Sequence, residues 1–328
     1  MSAMSAISVH APVRVTRRGV TNRATAVNRA GALQSVTRVP ALRNAAAFRP
    51  ALRSRRLHIN ANAVPATGDA LPPPAVFNVV ANASIMKSKQ PPTTTLLLGF
   101  SAGALIGIGA LLMSCVGGAS PALAASNPGL CAFLRGAVGL PAGLTLVILT
   151  GAELFTGNVM VMLSGLLTKK IEMKSLVRNW LFSYAGNFLG SVVLAYLAFG
   201  ANTAGAPAMK AAVISIATAK VSLPFGVAFF KGVLCNWLVC LAVWGTMSTT
   251  SVAGKILAIF WPITAFVALG FEHSIANMFL IPHGMLCGAT VTIKDMMVNN
   301  IIPVTLGNIF AAAVFVAGLH FWAYGRAE

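Results

Sequence analysis

Gly151-Ala-Glu-Leu-Phe-Thr-Gly-Asn158 and Gly270-Phe-Glu-His-Ser-Ile-Ala-Asn277 decide how this chain is read. Each phrase has glycine first, glutamate two positions later and asparagine seven positions later, and each lies inside a long apolar stretch. Glycine weakens a helix, and a carboxylate beside an amide is costly in hydrocarbon. Such groups persist at membrane depth where non-helical backbone is buried in protein or lines a cavity. Two copies in one pattern predict two broken helices facing each other across a pathway.

The composition agrees with a membrane protein. The chain is 57% hydrophobic and 9% charged, with a mean hydropathy of +0.79. A soluble domain of this size cannot cover its surface with so little charge. The formal charge of +18 resembles that of a nucleic-acid binder, yet all eleven basic residues before position 57, out of 24 in the chain, are arginines in one leader segment. The remaining 13 basic and 6 acidic residues leave +7, ordinary for the loops of a membrane protein, so no nucleic-acid partner is expected, whereas membrane lipids are. Cys115, Cys131, Cys235, Cys240 and Cys287 contain no Cys-x-x-Cys and read as small packing residues, a Cys115–Cys131 disulfide being the unsupported alternative. No cofactor and no metal is expected, since clustered His, Cys, Asp or Glu is absent.

Residues 1–60 carry their arginines, Arg14 to Arg56, among Ser, Thr, Ala and Val, and the first acid is Asp69. That is the composition of an organellar transit peptide, without the apolar core of a secretory signal. A disordered basic tail is the alternative, and composition does not separate plastid from mitochondrion. Residues 61–75, with Pro65 and Pro72 to Pro74, read as a disordered linker, which leaves 76–328 as an all-α polytopic domain of six spans. The spans are expected near 93–116, 133–168, 176–199, 224–245, 255–286 and 299–323. The second and fifth are overlong and are interrupted by the two phrases. Residues 201–222 form a connection with a short surface helix around 208–219.

Lys87, Lys89, Lys169, Lys170, Lys174, Arg178, Lys255 and Arg326 fall on one side of this scheme, and Arg135, Lys210, Lys220 and Lys294 on the other. The excess puts both termini on the cytoplasm-like side, the stroma in a plastid. Tyr184-Ala-Gly-Asn187 also resembles Thr305-Leu-Gly-Asn308. Three spans in each half require the second half to enter upside down, an inverted 3+3 repeat with both breaks near the midplane. The new helix N-termini then aim partial positive charge at the axis, which suits an anion.

The two phrases, with Leu234-Cys-Asn-Trp-Leu-Val-Cys-Leu-Ala-Val-Trp244 and Ile302-Pro-Val-Thr-Leu-Gly-Asn308, resemble the formate/nitrite transporter family over roughly residues 77–323. With its transit-like leader the chain looks like the green-algal chloroplast-envelope members, associated with nitrite and bicarbonate. The resemblance implies an aquaporin-like protomer, a homopentamer with one pore per protomer, and passage of small inorganic or carboxylate anions and protons. Nitrite leads, with bicarbonate and formate close, and the chloroplast inner envelope is the expected site.

His273 is the histidine within a span break, and it corresponds to the family's central pore histidine; Leu154 holds the same place in the first phrase. A neutral imidazole there can donate or shuttle a proton to a passing anion. The need is one of magnitude: a bare monovalent anion in a dry apolar constriction costs on the order of tens of kcal/mol, its neutral acid far less. Lys220 and Lys87, each preceding a span, match vestibule lysines that would attract anions as fixed charges; headgroup anchors are the alternative. The resemblance assigns Leu154, Phe155, Val239 and Phe266 to an apolar constriction. It assigns Thr156, Asn236 and Asn308 to polar pore positions, with support of freed backbone groups as the other reading of Thr156 and Asn308. Gly151, Glu153, Gly270 and Glu272 read as helix-break support, the carboxylates accepting loose backbone N–H groups.

Rival classes fare worse. A neutral-solute pore of aquaporin type would carry paired Asn-Pro-Ala half-helices, and neither phrase does. A serine protease of the membrane would carry Gly-x-Ser-Gly, whose nearest match, Met162-Leu-Ser-Gly165, lacks the first glycine. The chain is therefore not expected to be an enzyme. A non-conducting membrane sensor or scaffold stays open.

Overall fold

The structure, a computed structural model, describes residues 70–326. The expected leader and residues 61–69 of the expected linker lie outside them. Every regular element among the described residues is a helix: α1 (Pro73–Lys89), α2 (Pro92–Gly118), α3 (Pro121–Ser126), α4 (Pro128–Val138), α5 (Leu140–Thr150), α6 (Phe155–Leu167), α7 (Met173–Gly200), α8 (Pro207–Val221), α9 (Phe225–Met247), α10 (Val252–Ala268), α11 (Ser274–Leu286) and α12 (Ile293–Gly325). Proline opens α1 to α4 and α8, because its fixed φ fits a first turn whose N–H has no partner to lose.

All six expected apolar stretches are helical. α2, α4 with α5, α7, α9 and α12 are long and apolar enough to cross a membrane, judged by length and composition. α6 and α11 have 13 residues each, or about 20 Å, too short for a hydrocarbon core of about 30 Å. The breaks fall where the two phrases put them. Gly151 takes φ +69° and Gly270 φ +68°, the left-handed conformation that glycine adopts without a Cβ penalty. The next three residues leave the helix before α6 and α11 begin.

The two halves are sewn by equivalent seams. α2 meets α7 where Gly103 faces the Asn187 carbonyl and Gly190 the Phe100 carbonyl, with no room for a Cβ at either glycine. α9 meets α12 where Gly307 faces the Phe229 carbonyl in the same way. Close backbone approach of this kind is how helices associate without a hydrophobic drive between them.

Hydropathy does not anticipate α1. Asn78, Asn82, Lys87 and Lys89 dilute its apolar character, but Val76, Phe77, Val80, Ala81 and Ser84 are buried on one face at helical spacing. That face packs on α6 and on the end of α12, with the Phe77 ring 6.5 Å from both Trp244 and Phe321. The expected surface helix near 208–219 is α8, and its Met209, Val213 and Ala217 are buried against neighbouring helices. α12 is not uniformly α-helical: Met296–Ile301, Ala312–Gly318 and Phe321–Gly325 are π-helical turns, the first of which carries Asn300. All five cysteines are free.

Candidate functional site

Each break is held by one asparagine from a distant helix. Asn187 of α7 accepts the Phe155 N–H at 2.9 Å and donates to the Gly99 and Glu153 carbonyls at 2.8 and 2.9 Å. Asn308 of α12 accepts the Ser274 N–H at 3.0 Å and donates to the Gly232 and Glu272 carbonyls at 2.8 and 3.2 Å. One amide thereby satisfies one donor and one acceptor that the break leaves loose and ties them to a carbonyl of a neighbouring helix, Gly99 of α2 or Gly232 of α9. Asn308 makes the contacts that the break-support reading describes. Asn187 was passed over as a site residue, although the Gly-Asn pairs at 186–187 and 307–308 were the available signal.

The carboxylates do something other than expected. Among the described residues they accept from side chains and from no backbone N–H. Glu153 accepts from Lys87 Nζ at 2.7 Å, from Asn158 Nδ2 at 2.6 Å and from Asn179 Nδ2 at 3.4 Å. Glu272 accepts from Lys220 Nζ at 3.0 and 3.1 Å, from Asn277 Nδ2 at 2.6 Å and from Asn300 Nδ2 at 3.1 Å. Local backbone donors are already used, because Glu153 N and Glu272 N bond across to the Leu98 and Lys231 carbonyls. The Glu and Asn of each phrase, five residues apart, therefore form one buried polar knot with a lysine. Lys87 and Lys220 are not bare fixed charges: each is neutralised by its glutamate, and these are the two ion pairs among the described residues. Asn179 and Asn300 were also missed; each lies eight residues before the clamping asparagine of its helix, a repeat visible in the chain.

Between the knots the two half-helices touch. Thr156, second residue of α6, and His273, N-cap of α11, approach to 2.9 Å between Oγ1 and Nε2. His273 Nδ1 accepts the Ala276 N–H at 3.1 Å. That bond fixes the tautomer: with the Nδ1 lone pair engaged, the neutral ring carries its proton on Nε2 and donates it to Thr156. The hydrogen of the Thr156 hydroxyl is then left for another acceptor. Asn236 of α9 braces the contact from behind, donating to the Thr156 and Asn308 carbonyls at 3.2 and 2.7 Å.

The four constriction residues are all buried, but they do not ring one cavity. Phe266 stacks on His273, centroids 6.0 Å apart, and shares with it, Lys220 and Arg135 a cavity of about 100 Å³. The ring of Phe155 points instead at Tyr184 and Trp180 of α7, in an apolar pocket of about 410 Å³. Its amide is tied to Asn187, which turns the side chain toward that helix. Leu154 and Val239 are packed in the core. Arg135 in the His273 cavity was read only as a loop charge, since nothing in its neighbours' spacing marks it. Among the described residues no three His, Cys, Asp or Glu gather to hold a metal.

Apolar helices interrupted twice at buried polar knots, with one hydrogen-bonded His–Thr contact between the interruptions, define a multi-pass membrane transport protein. A family profile described as formate/nitrite transporter matches residues 74–322. A probable formate transporter of Methanothermobacter thermautotrophicus is 43% identical, over 73% of this chain and 92% of its own length. The nitrite transporter NirC of Escherichia coli strain K12 is 37% identical, over 67% of this chain and 80% of its own. A solved FNT family ion channel superposes with a TM-score of 0.69 at 33% identity, covering 76% of this chain and 98% of that one. A pentameric formate channel with formate bound gives 0.63 at 33% identity, covering 72% and 98%. The chain belongs to the formate/nitrite transporter family, whose members are transporters and channels; it is not an enzyme.

Proposed function

We propose that this protein passes small monovalent anions across the chloroplast envelope, with nitrite the first substrate and bicarbonate and formate next. The observation that carries the reading is the Thr156–His273 contact. A neutral imidazole that donates its Nε2 proton to Thr156 leaves the hydroxyl hydrogen of that threonine for an oxyanion and brings no charge to trap it. Proton sharing from the Thr156 hydroxyl, backed by His273 Nε2, lowers the cost of the anion at the driest point without a full transfer, because loading Nδ1 would cost the bond from Ala276. Weak acids such as nitrous, formic and carbonic acid suit this route.

Family membership supports a homopentamer of six-span protomers in an inverted 3+3 arrangement, each with its own pathway. The arginine-rich, acid-free first 60 residues support plastid delivery, with residues 61–75 as linker, 76–328 as the transport domain and both termini in the stroma. Vesicles reconstituted with the full chain test the reading. Labelled nitrite, formate and bicarbonate should enter faster as the pH of the source side falls, since more weak acid is protonated there. His273→Ala should flatten that pH profile. A profile unchanged in the variant rejects the proton-sharing role, and osmotic swelling in neutral solutes without anion flux rejects the substrate class.

A further inference from the structure

Arg135 is a cation in the His273 cavity that the mechanism above leaves unused. It projects from α4 into the space shared with Lys220, Phe266 and His273. Lys220 is neutralised by Glu272 at 3.0 Å, but Arg135 has no carboxylate partner among the described residues, and its Nε is buried with no hydrogen-bond partner. The neighbouring helix makes way for it. A Cβ on Gly117 of α2 would stand 2.7 Å from Nε and 2.8 Å from Cδ, so only glycine leaves the side chain its course. The other end of the molecule is built differently. Lys87 is spent on Glu153, and Arg178 donates its guanidinium to the Ser88 carbonyl.

We propose that Arg135 is the specificity-determining residue of this vestibule, a guanidinium fork that captures planar two-oxygen anions before they reach His273. The proposal rests on the function proposed above. A guanidinium presents parallel N–H donors that match the two oxygens of nitrite, formate or bicarbonate, whereas a halide meets only its charge. With Lys220 neutralised, Arg135 is the unpaired cation that lines the cavity itself, while Lys231 Nζ is held at 3.1 Å by the Gly270 carbonyl that borders it. Capture is therefore lopsided: anions entering past Arg135 meet a charged selector, and anions entering past Lys87 do not.

Right-side-out and inside-out vesicles from cells expressing the full chain expose the two mouths separately. Arg135→Gln should raise the half-saturating nitrite concentration about fivefold from one face only, the scale of one charge acting through partly hydrated protein. The maximal rate should hold. Arg135→Lys should keep the affinity but lose the preference for nitrite over competing chloride, and Gly117→Ala, which displaces the guanidinium without removing it, should move affinity in the same direction by less. Lys294→Gln controls for loss of a surface charge. Equal half-saturation of wild type and Arg135→Gln from both faces overturns the proposal, as does an Arg135→Lys variant with wild-type nitrite preference. If the wild-type chain carries no anion at all, the transport reading falls, and thermal stabilisation of the solubilised chain by nitrite decides the vestibule. Stabilisation abolished by Arg135→Gln keeps the capture site, and stabilisation that survives the substitution removes it.

Discussion

The break at Gly151 and the break at Gly270 share a frame and differ at the centre. Both have a left-handed glycine, a lysine–glutamate–asparagine knot and a clamping asparagine from another helix. At the fourth position of the phrase, however, the first has Leu154 and the second His273. The knots also differ in detail: Asn300 lies 3.1 Å from its glutamate where Asn179 lies 3.4 Å from the other, the ion pair is 3.0 Å in the second against 2.7 Å in the first, and the Lys220 side chain is 14% exposed against 21% for Lys87. Groups that satisfy a broken backbone are repeated because any break requires them. Groups that meet a passenger need occur once.

The comparison breaks first at the clamps. Asn187→Ala and Asn308→Ala each strand one amide and one carbonyl of a break, at about 1–3 kcal/mol per unmade bond. Both should lower the thermal midpoint of the solubilised protein by similar, large amounts; a loss confined to one of them would mean the halves are not equivalent frames. Next come the knots. Glu272→Gln and Glu153→Gln each leave a half-buried lysine without its counter-charge, at about 2–4 kcal/mol. Glu272→Gln should cost more, since Lys220 is the less exposed lysine, and Lys220→Met in the same chain should recover part of the loss in thermal unfolding. Thr156→Val is milder, about 1 kcal/mol for one interhelical hydrogen bond, but it should alter the pH profile of flux while the fold survives. Lys89→Gln sharpens the comparison at its small end. Lys89 is exposed, and the change should stay within about 0.5 kcal/mol and leave flux intact. Lys87→Gln at the neighbouring turn should not.

The frame was readable in the chain because its parts are local. Glycine, glutamate and asparagine at fixed spacing mark both breaks, and apolar stretches of spanning length mark the helices around them. What escaped was contact at long range. Nothing near Lys87 announces that it reaches Glu153, 66 residues on, and so a neutralised pair was read as a free charge. Phe155 was assigned to the constriction, yet its ring faces α7 because Asn187, 32 residues later, fixes its backbone. α1 was hidden because hydropathy averages over a helix and loses a buried stripe among asparagines and lysines. Arg135 sits among the few charges flanking a span, where an anchor and a selector look alike.

One amide has a reach beyond its size. Asn236 spends both its hydrogens on carbonyls of two different elements, Thr156 of α6 and Asn308 of α12. The waist of the molecule is therefore stapled across. Parting α6 from α12 would first have to tear those links, so their separation here is set by hydrogen-bond length, which thermal breathing of oily side chains cannot relax.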